Sequence, residues 1–232
     1  TVSLIGLGAM GSFFAPKLIA LLGDNFRVIA DGKRRERLLN SGVTINGVCY
    51  KPNTVTPDTQ GDPADLIIIA VKGYSLDSAI ADIKNQVGPN TLILPVLNGV
   101  ESEEKLISAF SEANVLYAYM RVSIVMNNNT ANYDPSIGSV HFGDRFNRKD
   151  ALSERVQKIA DLFDRACIAY EIDEDMLKGI WFKYACNIGE NMTCALLGVP
   201  FGAFQVSENA NIIRRAAMRE IIAIAQKKGI AL

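Results

Sequence analysis

The sequence predicts an α/β fold in which a parallel sheet with helices is followed by a smaller, all-α segment. Three observations predict it: apolar runs that alternate with helical patterns, a glycine-rich turn directly after the first run, and a C-terminal stretch in which every pattern is helical. The chain has 232 residues, 49% of them hydrophobic, which suffices for a sizeable core. We expect two domains, residues 1–173 with the sheet and residues 174–232 with helices only.

The first element is a short apolar strand that runs into a glycine-rich turn and then a helix. The turn consists of Gly6, Leu7, Gly8, Ala9, Met10 and Gly11. In this setting the first glycine permits a tight turn, the second lets the backbone approach a pyrophosphate, and the third allows close helix packing, while the helix N-terminus offers free N–H groups. The pattern predicts a Rossmann-like dinucleotide site; the alternative is a glycine-rich turn without a nucleotide.

The next elements continue the alternation. Residues 26–30 form a second apolar strand, a helix is expected over residues 33–40, and Asn46-Gly47 predicts a hairpin over residues 43–50. Residues 64–71 and 91–97 are apolar runs typical of strands that are covered on both faces. These elements complete a parallel sheet.

Four of the expected strands end at Gly6, Asp31, Lys72 and Asn98. Open α/β sheets bind ligands beyond the carboxyl ends of their strands, so these residues are expected to face one crevice. An acidic residue in the position of Asp31 accepts hydrogen bonds from ribose hydroxyls and disfavours a 2′-phosphate.

The second half of the chain changes character near residue 173. Residues 115–125 and 137–143 are strand-like and joined by a polar loop over residues 126–135, after which a helix (151–166) and a short strand (168–172) are expected. Beyond residue 173 the pattern is helical, with Gly198-Val199-Pro200 as a helix breaker and a final helix over residues 209–228.

Lys183, Asn187 and Asn191 recur at steps of four within this helical segment. A helix turns by about 100° per residue, so steps of four drift by only about 40° and the three side chains share one face. Between residues 180 and 199 only Lys183 and Glu190 carry charge, which is unusual for a solvated helix. The pattern indicates that one cation and two carboxamides converge on a small molecule; the alternative is polar residues paired inside a buried helix.

Composition excludes several classes of function. A net charge of −1 gives no electrostatic footprint for nucleic acid. No run approaches 18 apolar residues and no signal-peptide pattern is present, so no membrane partner is expected. The four cysteines form no C-x-x-C pair and His141 is the single histidine, so the sequence offers no zinc set. Free thiols in a reducing compartment point to a cytoplasmic protein without a metal.

Taken together, these residues resemble the ketopantoate reductase (2-dehydropantoate 2-reductase) family. The resemblance spans nearly the whole chain and is carried by the glycine-rich turn, Val71-Lys72-Gly73, Leu97-Asn98-Gly99, the segment 137–143 and Trp181-x-Lys183-x-x-x-Asn187-x-x-x-Asn191. It implies NADPH-dependent reduction of 2-dehydropantoate to pantoate, in pantothenate biosynthesis. It also implies that Lys183 is the proton donor, that Asn98, Asn187 and Asn191 bind substrate, and that Lys72 lies near the cofactor.

Three positions depart from the family's pattern. Asp31 stands where the family usually has an arginine for the 2′-phosphate, which favours NAD; Lys33, Arg34 or Arg35 could bind the phosphate instead, and NADP is the cofactor that the resemblance implies. Phe201 stands where the family has a further substrate-binding asparagine, so the substrate could be another 2-oxo acid. The family's last substrate-binding glutamate and serine lie beyond Leu232, so the helical domain is expected to be truncated.

Two other readings stay open. A β-hydroxyacid or phosphogluconate dehydrogenase relative would also have the glycine-rich turn and a helical Lys-x-x-x-Asn, although it normally carries a glycine-rich segment before that lysine, where residues 176–181 contain only Gly179. A non-catalytic dinucleotide-binding protein would need the turn but not Lys183 beside Asn187. The expected partner is a small 2-oxo acid, and a homodimer is the assembly considered.

Overall fold

Twelve short strands and nine α-helices make up the fold in the computed structural model, which describes residues 1–232. The strands are β1 (Val2–Ile5), β2 (Phe26–Ile29), β3 (Val43–Ile45), β4 (Val48–Tyr50), β5 (Asn53–Val55), β6 (Leu66–Ile69), β7 (Leu92–Pro95), β8 (Tyr117–Arg121), β9 (Val125–Asn127), β10 (Thr130–Asn132), β11 (Ser139–Gly143) and β12 (Tyr170–Glu171). The helices are α1 (Ala9–Leu22), α2 (Gly32–Ser41), α3 (Leu76–Ile83), α4 (Ser102–Ala109), α5 (Glu154–Arg165), α6 (Met176–Cys186), α7 (Thr193–Leu197), α8 (Ala203–Val206) and α9 (Glu208–Lys227). None of the helices combines the length and the apolar character that a membrane-spanning segment requires.

The chain divides into two compact units, Thr1–Glu174 and Asp175–Leu232. The first unit holds all the strands and the helices α1–α5, and the second holds α6–α9. The predicted α/β class with an all-α C-terminal segment is confirmed.

The central sheet of the first unit is entirely parallel, with strand order β5-β2-β1-β6-β7. The chain therefore leaves β1 toward one edge of the sheet and returns for β6 on the other side of it. The connections from β1 to β2 and onward to β6 run to opposite sides of β1, so a crevice opens beside the end of β1. Ligands bind at this reversal of strand order in doubly wound folds.

Side chains of this sheet alternate between two apolar layers. Leu4, Val28 and Ile68 face one cluster, which α1 and α5 complete with the fully buried rings of Phe13, Phe14 and Phe163. Ile5, Ile29 and Ile67 face the other cluster, which contains Leu76, Ala79 and Ile83 of α3 and Leu106 of α4. Burial on both faces explains why the strands are continuous apolar runs.

Two smaller sheets, each with parallel and antiparallel pairs, complete the first unit, with strand orders β4-β3-β10-β9 and β12-β11-β8. The hairpin of β3 and β4 turns at Asn46 and Gly47, whose φ angles of 48° and 81° suit the left-handed turn that Asn-Gly favours.

The prediction of a polar loop over residues 126–135 is wrong, because residues 126–132 form part of the β9–β10 hairpin. Thr130 pairs in parallel with Thr44 of β3, and the Thr44 N–H donates to the Asn129 carbonyl at 3.0 Å. The backbone of this polar segment is thus satisfied by a strand some 85 residues earlier, which a local pattern cannot reveal.

The second unit begins at an N-cap, where Asp175 Oδ1 accepts a hydrogen bond of 3.1 Å from the Lys178 N–H. Helix α6 continues without a break into a π-helical turn (Asn187–Met192) and then α7. Gly198 ends α7 in the left-handed conformation with φ 64°, as a helix C-terminus favours. Ser207 then caps the last helix, α9, by accepting from the Ala210 N–H.

Candidate active site

A cleft of about 550 Å³ opens at the carboxyl ends of β1, β6 and β7 in the first unit. It is lined by residues 6–10, 70–75 and 96–98 together with Arg34, Arg37, Leu38, Met126 and Asn128. Three of the four strand ends named above, those of Gly6, Lys72 and Asn98, meet here. The fourth, Asp31, does not line the cleft; it is the exposed N-cap residue of α2.

The glycine-rich turn has three distinct glycines. Gly6 has φ 97°, and a Cβ there would lie 2.6 Å from the Ala70 carbonyl carbon. A Cβ on Gly11 would lie 2.3 Å from the Gly6 carbonyl oxygen. A Cβ on Gly8 would meet nothing within 4 Å. Gly6 and Gly11 are therefore required by the fold itself, whereas the space beside Gly8 is open.

Helix α1 begins next to this open space. Gly8 is its N-cap, and no side chain caps the first turn. The first N–H groups of a helix have no partner within it, and with the helix dipole they attract anions. The start of α1 thus offers backbone donors and a partial positive charge to a pyrophosphate.

Basic side chains come to the same cleft from α2. Arg34 and Arg37 line it, whereas Lys33 and Arg35 do not. Leu38, the only buried residue of α2, also lines the cleft and lies one turn after Arg34 on the same side of the helix. The packing of Leu38 therefore selects which arginines face the cleft.

Met126 and Asn128 were not among the predicted site residues. They belong to the β9–β10 hairpin, and Asn128 sits at its turn with φ 52°. The available signal was Asn127-Asn128-Asn129 between two short β-favouring segments, since asparagine tolerates the left-handed conformation of tight turns.

In the second unit, Lys183 lies in the last turn of α6, and Asn187 and Asn191 lie in the π-helical turn. The Asn191 Nδ2 donates to Asn187 Oδ1 at 3.4 Å, so these two carboxamides are direct neighbours. In a regular α-helix a step of four overshoots one turn by about 40°. A π-turn, whose hydrogen bonds close at i+5, is wider, so its step of four offsets that drift. Backbone geometry therefore keeps positions 183, 187 and 191 on one face of the continuous helix.

Helix α9 packs against this π-turn at Gly189, which is buried. A Cβ on Gly189 would lie 2.3 Å from Met218 Cγ and 3.1 Å from the Arg214 carbonyl oxygen. Glu190 pairs with the Arg214 guanidinium at 3.6 Å, and that guanidinium lies 4.9 Å from the centre of the Phe204 ring. The π-turn is thus braced by α9 on the side where it departs from regular helix.

A polar network lies on the three-stranded sheet of the first unit. His141 is buried; its Nδ1 lies 3.0 Å from Asp173 Oδ1 and its ring stacks on Tyr119 at 4.4 Å. Burial alone would raise the pKa of Asp173, but hydrogen bonds from His141 and from the Tyr119 hydroxyl lower it. The structure also brings Glu171 close, with donor atoms of His141, Glu171 and Asp173 within 4.8 Å of one another. Counting cysteines and histidines had not pointed to this cluster.

Glu103 is the one buried carboxylate of the first unit, and burial raises its pKa to about 7, although hydrogen bonds from Ser102 and from the backbone of Glu103 and Ala118 oppose this. A raised pKa means that the folded state holds the proton more tightly than the unfolded chain, for which the ordinary value is 4.5. The stability that Glu103 contributes is therefore complete below about pH 4.5 and declines as the pH rises to about 7.

Replacing Glu103 by glutamine should remove this pH dependence. The wild type is expected to lose on the order of 3 kcal/mol of unfolding free energy between pH 4.5 and 7.5 relative to Glu103→Gln, since one pKa unit corresponds to about 1.4 kcal/mol. Denaturant unfolding at several pH values measures the difference. Glu104→Gln, an exposed neighbour in the same helix, is the control, and parallel pH curves for wild type and Glu103→Gln would contradict the assignment.

Comparison with protein families decides the relationship. Residues 2–145 match the family model "Ketopantoate reductase PanE/ApbA", and residues 175–232 match "Ketopantoate reductase PanE/ApbA C terminal". The chain belongs to the ketopantoate reductase family.

Individual relatives agree with this family assignment. A 2-dehydropantoate 2-reductase of Pyrococcus horikoshii is 28% identical over 236 residues, covering 99% of this chain and 74% of the relative. A 2-dehydropantoate 2-reductase of Streptococcus pyogenes is 26% identical over 239 residues, covering 100% of this chain and 75% of the relative. The chain is therefore a distant member of the ketopantoate reductase family.

Solved structures share the fold. The structure of D-mandelate dehydrogenase with NADH and anilino(oxo)acetate superimposes with a TM-score of 0.85 at 22% identity, covering 100% of this chain and 76% of that one. A putative ketopantoate reductase from Ralstonia solanacearum gives a TM-score of 0.82 at 21% identity, covering 100% and 78%. At these identities the likeness establishes the fold alone.

Proposed function

We propose that the protein reduces a 2-oxo acid with a nicotinamide dinucleotide, with 2-dehydropantoate, which would yield pantoate for pantothenate biosynthesis, as the leading substrate. The observation that carries this proposal is the placement of Lys183 in the last turn of α6, followed at steps of four by Asn187 and Asn191 in the π-turn, with the two carboxamides in direct contact. Membership of the ketopantoate reductase family supports it.

The dinucleotide is assigned to the cleft of the first unit. The first turn of α1 and the open space at Gly8 suit a pyrophosphate, and Lys72 and Asn98 lie at the ends of the adjoining strands. When bound, the reduced nicotinamide supplies a hydride to the carbonyl carbon of the substrate. The residues that hold it in the proposal are Gly6, Leu7, Gly8, Ala9, Met10, Lys72 and Asn98, with Gly11 packing the turn.

Lys183 supplies the proton in this proposal. Reduction of a ketone builds negative charge on its oxygen, and an ammonium group stabilises that charge and donates a proton to form the hydroxyl. The amine then regains its proton from water. Asn98, Asn187 and Asn191 offer carboxamide donors and acceptors to the polar groups of the 2-oxo acid.

An apolar residue, Phe201, bears on which 2-oxo acid is the substrate. Phe201 is exposed in the second unit, where the family pattern has a hydrogen-bonding asparagine. A structurally similar protein, D-mandelate dehydrogenase, was solved with NADH and anilino(oxo)acetate, which favours testing bulkier, more apolar 2-oxo acids beside 2-dehydropantoate. We place the enzyme in the cytoplasm, where its four cysteines, none of which forms a disulfide, would stay reduced.

An absorbance assay of NADPH and NADH oxidation measures the proposed activity. The substrates to be compared are 2-dehydropantoate, branched aliphatic 2-oxo acids and aryl 2-oxo acids. Turnover with 2-dehydropantoate supports it as the substrate. Turnover only with aryl 2-oxo acids supports a bulkier, more apolar substrate. Oxidation of a 3-hydroxy acid with no reduction of any 2-oxo acid would favour the β-hydroxyacid dehydrogenase reading. Cofactor binding without turnover would favour a binding protein.

Cofactor choice gives a separate prediction, because Arg34 and Arg37 line the cleft while Asp31 does not. Arg34→Ala and Arg37→Ala are expected to weaken NADPH binding by roughly tenfold to a hundredfold and NADH binding much less, since a charge-assisted contact to the 2′-phosphate is lost. Fluorescence titration with each cofactor measures both affinities.

Two further variants sharpen this comparison. Lys33→Ala, on the same helix but outside the cleft, is the matched control and should change neither affinity. Asp31→Ala should weaken NADH more than NADPH only if this carboxylate turns to the ribose in the complex. Equal losses of NADPH and NADH in the arginine variants would remove Arg34 and Arg37 from phosphate recognition.

A further inference from the structure

Among the Asp, Glu, Lys, Arg and His side chains of the first unit, three are exposed by no more than 5%: Arg27, Glu103 and His141. Arg27 pairs with Asp62, and His141 pairs with Asp173. Glu103 takes part in none of the ion pairs of the structure. A buried carboxylate without a cation is costly, so its retention calls for a compensating role.

The contacts of Glu103 connect two elements. Glu103 is the second residue of α4, and its Oε1 accepts from the Ala118 N–H of β8 at 3.4 Å. Its Oε2 accepts from the Ser102 hydroxyl at 2.9 Å. The side chain therefore attaches the first turn of α4 to β8.

This attachment fixes the second end of the turn that carries Asn98, whose first end is fixed by β7. We call β7, β8 and the segment that enters β8 the frame of this turn. Residues 96–101 connect β7 to α4, and Gly99 adopts φ 122° within them. At the β7 side the Val96 N–H donates to the Ile69 carbonyl at 2.8 Å. Strand β7 in turn is bonded to the segment that enters β8, since the Leu116 N–H donates to the Ile93 carbonyl at 3.0 Å. Glu103 is the side chain that joins the far end of the turn to the same frame.

We propose that Glu103 is a positioning residue that holds the first turn of α4 against β8 and thereby holds Asn98 at the cleft. This inference rests on the proposed function, in which Asn98 contacts both cofactor and substrate. Glu103 itself does not line the cleft.

The contact to Ala118 is compatible with both protonation states of Glu103. As a carboxylate it accepts from both Ala118 and Ser102; as an acid it can donate to the Ser102 hydroxyl while its other oxygen still accepts from Ala118. The ionisable groups that act on Glu103 are Glu104 on α4 and the neutral Tyr117 hydroxyl on β8. Burial raises the pKa of that hydroxyl, Arg145 lowers it and Glu112 raises it. Glutamine, a neutral isostere, should therefore preserve the positioning role, whereas alanine should not.

Hydrogen–deuterium exchange and kinetics of the full chain together test this role. Glu103→Ala is expected to speed exchange selectively in residues 96–104 and to raise the KM for the 2-oxo acid by about tenfold, the effect of one lost buried hydrogen bond on a positioned group. Glu103→Gln is expected to restore both values to within about twofold of wild type. Glu104→Ala, exposed on the same turn, is the control and should leave both unchanged.

Two results would overturn the inference: exchange of residues 96–104 in Glu103→Ala equal to wild type, or an increase spread evenly over the first unit. Should Glu103→Ala fail to fold, Glu103→Asp keeps the charge but shortens the reach to Ala118, and it must show the same local increase. If the wild type reduces no 2-oxo acid, the proposed function fails, while exchange and NADPH titration still decide whether Glu103 positions the Asn98 turn.

Discussion

Replacing Lys183 by alanine is expected to lower kcat by about 10² to 10⁴, the usual contribution of a positioned general acid. Cofactor affinity should change little, because the dinucleotide is assigned to the cleft of the first unit, which Lys183 does not line. Steady-state kinetics, cofactor titration and thermal melts of the same preparation measure the three quantities.

The control for this variant is Lys178→Ala. Lys178 is exposed and lies on the same helix, α6, so its removal changes the helix charge equally without removing the proposed proton donor. If Lys183 served only packing, Lys183→Ala would shift the unfolding free energy by about 1 to 3 kcal/mol, and activity would fall only with the fraction of folded protein. A Lys183→Ala enzyme with near-normal kcat would refute the mechanism.

Asn187 and Asn191 should behave differently from Lys183. Their carboxamides are assigned to substrate polar groups and not to proton transfer, so Asn187→Ala and Asn191→Ala should chiefly raise the KM. Because the Asn191 amide donates to Asn187, the double variant should cost less than the sum of the two single changes.

Local patterns predicted most of the fold because its elements are defined by short stretches of sequence. The apolar run 64–71 contains β6, and Asn46-Gly47 lies at the turn between β3 and β4. Both signals depend on neighbouring residues only, namely burial on two faces and left-handed turn conformations. Elements that form through distant partners were missed, as β10 shows by pairing with β3.

The orientation of α2 about its own axis explains why the residues at the nucleotide end of the cleft were harder to predict. The sequence pattern points to Asp31, Lys33, Arg34 and Arg35, whereas Arg34 and Arg37 are the charged residues of α2 that line the cleft. The burial of Leu38 decides this, because it fixes which face of α2 is turned toward the cleft. A helical projection centred on Leu38 would have favoured Arg34, one turn earlier, over Arg35.

The π-turn could not be predicted from residue spacing alone. Steps of four predicted a shared face for Lys183, Asn187 and Asn191 on the assumption of a regular α-helix. The helix widens where Gly189 packs closely against α9, at Met218 and Arg214. Such a change depends on a helix some 20 residues further along the chain, so it follows from tertiary packing.

Replacing Gly8 by valine is expected to abolish dinucleotide binding and leave the fold largely intact. Gly8 has φ −107°, which valine can adopt, and its side-chain position meets no protein atom within 4 Å. The valine would therefore occupy the space assigned to the pyrophosphate instead of disturbing the core. Fluorescence titration with NADPH and NADH measures the loss, and thermal melts measure the fold.

Gly11→Ala is the matched contrast, because it adds one methyl group in the same turn but on the packed side. That methyl carbon would lie 2.3 Å from the Gly6 carbonyl oxygen and 3.3 Å from Leu4 Cδ2, so the helix must move and the melting temperature should fall together with affinity. Loss of binding without loss of stability in Gly8→Val, beside loss of both in Gly11→Ala, separates the ligand-facing glycine from the packing glycine. Unchanged cofactor affinity in a folded Gly8→Val variant would show that the dinucleotide does not bind at this turn.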